Sequence, residues 1–195
     1  MNFKKKGELG YISFMKSFNL LVAIVLFVIA AVIFIIGMSI YDTKGNILTI
    51  VGALFIIPAA RFMTVWFLFL PFKSAAKEQY DKVFSLMKQG NLLYTDVIFT
   101  STEKAYGAMF LVLTGDKILA YVPKNCNKLQ DYLADIIKRR AFDIKVTCTD
   151  DEKKFENFLK SADSYAEKVF EDEDQRTGAD KERARLMEVL ESFMP

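Results

Sequence analysis

The sequence predicts an α+β protein in which an N-terminal transmembrane helical hairpin precedes a small cytoplasmic α-β-β-β-α-β-α domain and a C-terminal helix. The 195 residues are 52% hydrophobic and yet 26% charged, so apolar and charged residues must lie in different parts of the chain. The division falls near residue 72, beyond which helical and strand spacings of apolar residues follow one another. We expect four parts: a cytoplasmic tail (1–17), the hairpin (18–72), the α+β domain (73–170), and an acidic break with an amphipathic helix (171–195).

Two long apolar stretches predict the hairpin. Residues 20–40 carry no charged side chain and, at about 1.5 Å per residue, span roughly 30 Å, the thickness of a hydrocarbon core. Residues 47–72 are similarly apolar and hold one charge, Arg61, and the polar residues 41–46 join the two stretches. Core helices of soluble proteins and the apolar regions of cleaved signal peptides are usually shorter, so a membrane hairpin is the stronger interpretation.

Basic residues predict the orientation of the hairpin. Between the two apolar stretches there is only Lys44, whereas lysines flank their outer ends: Lys4, Lys5, Lys6, Lys16, Lys73 and Lys77. Short loops rich in Lys and Arg stay on the cytoplasmic side of a membrane. We therefore expect both termini in the cytoplasm and the lipid bilayer as a partner.

Pro58, Arg61 and Trp66 are the candidate functional residues of the second stretch. An ionisable side chain within a span is costly and indicates function by default. In one interpretation Pro58 kinks the helix and Arg61 extends to the inner headgroups; in the other, Arg61 faces a ligand or another chain of a homo-oligomer. Trp66 is expected at the inner interface. The small residues form no G-x-x-x-G motif, so no particular helix pairing is predicted.

The polar part of the chain reads as alternating elements. Thr149 and Glu152 have the spacing of a capping box, which predicts that a helix starts after the last strand. The elements before it are expected as a helix over 74–88, strands over 93–100, 108–114 and 118–122, a helix over 129–140 and a half-buried strand over 142–148.

A last helix is predicted from about residue 179 to 193, after an acidic break at 171–174 and the pair Thr177-Gly178. Its apolar stripe consists of Leu186, Val189, Leu190 and Phe193. Such a helix either docks on its own domain or binds a protein partner. The sequence leaves both outcomes open.

The composition excludes several chemistries. The chain has no histidine, which removes His-dependent nucleophiles and the usual zinc and proton-shuttle sites. Cys126 and Cys148 are far apart in the sequence, and no phosphate-binding glycine motif is present. Residues after 72 are nearly neutral, which argues against nucleic-acid binding. We therefore expect no catalytic residue, no cofactor and no metal site.

The order helix, three strands, helix, strand over 74–148 resembles the core of restriction-endonuclease-like nucleases. That resemblance implies an acidic residue on the second strand and an Asp/Glu-x-Lys motif on the third, to hold Mg²⁺. The third predicted strand has no acid, and Asp96 and Asp116 lie elsewhere. The resemblance therefore implies at most a degenerate nuclease.

Three segments carry a resemblance to short bacterial membrane proteins with two spans and a cytoplasmic α+β domain. They are Lys-Lys-Lys-Gly-Glu-Leu-Gly-Tyr (4–11), Ile-Pro-Ala-Ala-Arg (57–61) and Asp-Val-Ile-Phe-Thr-Ser (96–101). The resemblance implies the bacterial cytoplasmic membrane and no particular activity. The function expected first is a membrane-anchored, non-catalytic binding, scaffold or sensor protein. The alternatives are a membrane-active effector whose spans rearrange on ligand binding or oligomerisation, and a degenerate nuclease-like enzyme.

Overall fold

The computed structural model describes residues 4–40, 47–101, 104–115, 117–165 and 173–193, with the backbone alone over 173–178. It has two compact units. We call Ile12–Lys73 the helical pair, and the unit formed from Met1–Tyr11 and Ser74–Pro195 the α+β domain.

The helical pair is built from α1, Tyr11–Ile40, and α2, Ile47–Phe69. Both are long and apolar enough to cross a membrane. They approach closely at Gly52, where an added Cβ atom would lie 3.2 Å from the carbonyl oxygen of Ala30. The buried small residues recur every seven positions, which places them on one stripe of each helix: Ala23, Ala30 and Gly37 on α1, Gly52 and Ala59 on α2. Helix pairing thus has a sequence signal, a seven-residue repeat, that a search for G-x-x-x-G misses.

Lys16 joins the beginning of α1 to the end of α2. Its ammonium group donates to the carbonyl oxygens of Leu70 (3.1 Å) and Phe72 (2.5 Å). Both carbonyls lie just beyond α2, which ends at Phe69, and a cation near the C-terminal end of a helix complements the helix dipole. Lys16 lies inside α1, although the sequence suggested a tail reaching residue 17, and it links α1 to the chain that leaves α2.

The α+β domain has the predicted order of elements. A four-stranded sheet has the spatial order β1-β2-β3-β4, in which the first three strands are antiparallel and β4 is parallel to β3. The elements are α3 Lys77–Leu86, β1 Leu92–Thr100, β2 Ala105–Leu113, β3 Lys117–Tyr121, α4 Cys126–Arg139, β4 Lys145–Thr149, α5 Glu152–Ser161 and α6 Glu173–Ser192.

Helices cover both faces of this sheet. On one face Leu133 of α4 and Leu186 of α6 join a core with sheet residues such as Phe99. On the other face Val83 of α3 and Phe155 of α5 pack with Phe110 and its neighbours. Strands covered on both faces read as nearly continuous apolar runs, which explains the compositions of β2 and β3.

The start of α5 differs from the predicted capping box. Asp151 is the N-cap, and its Oδ1 atom accepts hydrogen bonds from the N–H groups of Lys153 (2.9 Å) and Lys154 (3.4 Å). Thr149, the predicted cap, instead accepts from the N–H of Asp151 (3.2 Å). Thr and Asp are both favoured at the N-cap of a helix. Asp151 serves as the cap here because β4 extends through Thr149.

The end of α4 explains why the strand predicted from residue 142 begins only at Lys145. Ala141 has a positive φ of 58°. The N–H of Ala141 donates to the carbonyl of Lys138, and that of Phe142 to the carbonyl of Ile137, the two bonds of a Schellman motif. Phe142 and Ile137 also share the core, so the apolar residue at 142 belongs to the helix cap.

Both outer strands of the sheet have hydrogen-bond partners along their free edges. On β1 the N–H of Thr95 donates to Gly7 (2.8 Å), and that of Thr100 to the carbonyl of Phe193 (3.1 Å). On β4 the N–H of Cys148 donates to the side chain of Gln130 (3.1 Å). Partly covered edges lower the tendency of a sheet to pair with other chains.

Candidate functional site

A buried carboxylate lies in the middle of β1. The side chain of Asp96 is 0% exposed. Its Oδ2 atom accepts a hydrogen bond from the N–H of Gly10 (2.7 Å), and its Oδ1 atom accepts one from the N–H of Ala75 (2.8 Å). Hydrogen bonds to an ionised carboxylate are about twice as strong as neutral ones. One side chain therefore holds two chain segments that are distant in sequence.

These two segments are the connections of the α+β domain to the helical pair. Gly10 directly precedes α1, and Ala75 lies between the end of α2 at Phe69 and the start of α3. The chain leaves the α+β domain at two points, and the backbone near each of them donates a hydrogen bond to the carboxylate of Asp96. We call this arrangement the Asp96 clamp, consisting of Asp96, Gly10 and Ala75.

The backbone at the clamp is strained. Asp96 has a φ of 53°, a left-handed conformation that costs a non-glycine residue about 1 kcal/mol and that Asp and Asn tolerate best. The strand pairing is the same on either side of it, since Thr95 lies opposite Phe110 and Val97 opposite Ala108. A strained residue that the fold retains is an indication of a specific role.

Glycines allow the N-terminal segment to dock beside Asp96. The carbonyl of Gly7 accepts from both the N–H and the hydroxyl of Thr95 (2.8 and 3.1 Å). Gly7 and Gly10 both have positive φ angles, 82° and 80°. A Cβ atom at Gly7 would lie 2.5 Å from the ring of Tyr94. The close approach to β1 therefore requires glycine at position 7, and the positive φ angles favour glycine at both positions.

From the sequence, Asp96 is only a lone acid that does not fit the nuclease pattern. In the structure its two carboxylate oxygens accept backbone hydrogen bonds, and β2 and β3 contain no carboxylate. Asp116 lies outside the described residues. The signals that could have indicated the clamp are a single charged residue in an otherwise uncharged strand and two glycines shortly before the first apolar helix.

Pro58, Arg61 and Trp66 all lie in α2. Arg61 is exposed, while nearby Ala59 is buried at the contact of α2 with α1. Pro58 is partly exposed, and α2 continues across it. The Trp66 ring lies edge-on to that of Phe67, with centroids 5.0 Å apart. Within the helical pair Arg61 therefore points away from the partner helix.

The C-terminal helix docks on its own domain, which is the first of the two predicted outcomes. In the described residues of α6, Leu186 and Leu190 are buried in the core, and Val189 and Phe193 pack against it. The Phe193 ring lies edge-on to that of Tyr132 (6.4 Å). The helix begins at Glu173, which is earlier than predicted. Residues 173–178, which were expected to belong to the break, are therefore helical.

The two cysteines are free thiols. Burial raises the pKa of Cys148 to about 12, with smaller contributions from Cys126 and Asp131. Burial, followed by the charge of Asp150, also raises the pKa of Cys126. A raised pKa disfavours the reactive thiolate. Among the described residues there is also no group of three or more potential ligands that could hold a metal ion.

Comparisons with known proteins identify no relative. No protein-family model matches the chain. Neither a curated protein nor a solved structure matches it significantly. Its function must therefore be inferred from its own residues.

Proposed function

We propose that this chain is a membrane-anchored, non-catalytic binding or sensor protein of the bacterial cytoplasmic membrane. The helical pair is the anchor, with both termini in the cytoplasm. The α+β domain is the part that binds a ligand or a protein partner.

The observation that carries the proposal is the exposed apolar surface of the helical pair. The two helices contact each other through small residues, so their large side chains are left outside. Soluble proteins seldom expose continuous apolar patches larger than a few hundred Å², and a bilayer covers such a surface. Side chains at least 45% exposed are found along both helices: Leu21, Ile24, Val28, Ile35, Ile50, Leu54 and Ile57.

The Asp96 clamp supports a role beyond simple anchoring. A strained, buried carboxylate fixes both connections to the helical pair at one strand of the domain. A change in β1 on binding a ligand would therefore act on both connections at once. This property suits a sensor.

The anchor is tested by fractionation and by labelling. The full chain is expected in the membrane fraction and to resist extraction at alkaline pH. In variants lacking the native cysteines, Gly45→Cys should react with a membrane-impermeant maleimide in spheroplasts, and Lys160→Cys should react only after lysis. Recovery of the chain in the soluble fraction, or labelling of Lys160→Cys in intact spheroplasts, would overturn the proposed anchor or its orientation.

A second candidate function is a membrane-active effector, and the clamp is the observation that favours it. If a ligand or oligomerisation disturbs the clamp, the connections of both helices to the α+β domain are released together. Expression should then dissipate the membrane potential, and Arg61→Leu should abolish this effect while Arg61→Lys retains it, because the charge is preserved. An unchanged potential on expression, or equal leakage with Arg61→Leu, would remove this candidate.

A further inference from the structure

A cleft of about 370 Å³ lies between the end of α4 and the middle of α6 in the α+β domain. One wall is the turn after α4, residues 140–142, and the other is α6 at Lys181, Glu182 and Arg185. This volume falls within the range of small-molecule sites. The cleft contains no residue of the Asp96 clamp.

The lining of the cleft carries a net positive charge. Arg140, Lys181 and Arg185 have exposed side chains, and within the described part of the chain no carboxylate forms an ion pair with any of them. Glu182 is the one carboxylate of the lining, and it faces a second cleft as well, which Arg183 also lines. Like charges around one cleft repel each other, and a bound anion relieves this repulsion.

Helix capping accounts for only one of the three cations. A basic residue near the C-terminal end of a helix complements the helix dipole, and Arg140 is the C-cap of α4. Lys181 and Arg185 lie in the middle of α6, well before its end at Ser192. The last carbonyls of α4 already accept hydrogen bonds from the backbone N–H groups of its Schellman motif. The end of α4 therefore does not require two further cations from another helix.

Contacts with the core fix both walls of the cleft. The guanidinium group of Arg185 lies over the ring of Phe142, 5.9 Å from its centroid, and Phe142 belongs to the core. The N–H of Arg140 donates to the carbonyl of Ile136 (3.1 Å), and Ala141 beside it has the positive φ of 58°. Strained residues that a fold retains are concentrated at functional sites.

We propose that this cleft binds a phosphate monoester, carried either by a lipid headgroup or by a small soluble molecule. The planar N–H donors of arginine match phosphate oxygens in pairs, and lysine adds a compact charge. A phosphate monoester has three free oxygens, one for each of the three cations, whereas a carboxylate has two. This assignment rests on the proposed binding function and names its ligand class.

The experiment is mass-spectrometric footprinting of lysines, by reductive methylation of the full chain in nanodiscs. Phosphatidylcholine discs are the reference. In separate arms, phosphatidic acid is included in the bilayer, glycerol 3-phosphate is added in solution, or glycerate is added as the matched carboxylate. At least one of the two phosphate arms should slow the modification of Lys181 at least threefold, and the arm that does so identifies the source of the phosphate. Lys160, an exposed lysine of α5 outside the cleft, should be unaffected.

Variants test whether the arginines hold the phosphate. Arg140→Gln and Arg185→Gln should each reduce the protection of Lys181 at least twofold. Arg139→Gln is the matched control, because Arg139 is equally exposed, pairs with Asp135 and lies outside the cleft; it should leave the protection unchanged. Exposed positions tolerate such substitutions with little effect on folding.

Three results would overturn this site: equal modification of Lys181 in every arm, equal protection by glycerate, or full protection in both Arg140→Gln and Arg185→Gln. A chain that resists alkaline extraction and gives one of these results keeps the proposed anchor and loses the ligand class. A chain recovered in the soluble fraction loses the anchor, and the glycerol 3-phosphate arm then tests the cleft by itself.

Discussion

The helical pair and the α+β domain use their small and polar residues in opposite ways. In the helical pair, small side chains form the contact and large apolar ones face outward. In the α+β domain, large apolar residues fill the interior and the small or polar ones mark special backbone positions such as Gly7 and Asp96. In the proposed membrane setting, this difference follows from the surroundings of each unit, since water drives large apolar side chains inward and lipid does not.

The largest expected effect comes from the Asp96 clamp. Asp96→Asn keeps a residue that tolerates φ of 53° but places an amide NH₂ against one of two N–H donors, at a cost of about 2 kcal/mol; Asp96→Ala leaves both unpaired, at about 4 kcal/mol. Thermal unfolding measures the cost. Hydrogen exchange at the amides of Gly10 and Ala75 should accelerate in both variants.

The control for the clamp is Asp135→Asn, which removes an exposed carboxylate paired with Arg139. Its effect should stay within about 0.5 kcal/mol. Wild-type exchange rates at Gly10 and Ala75 in Asp96→Asn would show that the carboxylate does not hold the two segments.

The second prediction concerns the contact inside the helical pair. Gly52→Leu should separate α1 from α2, because a Cβ atom there already lies 3.2 Å from the carbonyl of Ala30; we expect a loss of about 1–2 kcal/mol. Ala53→Leu, at the exposed neighbouring position, is the matched control. In a variant without native cysteines, spin labels at Ile35 and Leu54 should show a longer or broader distance distribution only with Gly52→Leu. The same distribution in both variants would rule out the small-residue contact.

The third prediction concerns an ionisable group buried in the α+β domain, the thiol of Cys148. The pKa of Cys148 is raised from 9.0 to about 12, so above pH 9 the unfolded chain loses a proton that the folded chain keeps. Its contribution to stability is therefore complete below pH 9 and declines as the pH rises towards 12. Denaturant unfolding between pH 8 and 10 should show a loss of about 1 kcal/mol that is absent in Cys148→Ala. An equal pH dependence in both proteins would contradict the buried neutral thiol.

The smallest effect is a gain in stability at the end of α4. Ala141 has a φ of 58°, and Ala141→Gly relieves that conformation but adds freedom to the unfolded chain, so a net gain of about 0.5 kcal/mol is expected. Ala134→Gly, at an exposed position inside the same helix, should instead cost about 1 kcal/mol. Denaturant midpoints compare the two. A loss at both positions would mean that the helix cap is not strained.

The sequence was sufficient to predict elements whose signals are local. Alternation and apolar runs located the four strands, and the order of elements followed. The Asp96 clamp could not be predicted from the sequence, because Asp96 and Gly10 are 86 residues apart and no local pattern encodes that contact. The cap of α5 was misplaced because Thr149 and Asp151 suit the same role, and only the extent of β4 decides between them.

The hydrogen bonds of Lys16 bear on how the chain folds. The N-terminal segment is synthesised first, yet Thr95, its partner at Gly7, follows only after both apolar helices. Closing so long a loop is entropically unfavourable and slows folding. Once Lys16 has bonded to Leu70 and Phe72, the intervening helices no longer count as flexible chain, and the remaining search is short. Assembly of α1 with α2 would then shorten the flexible chain between Gly7 and Thr95 before the sheet forms.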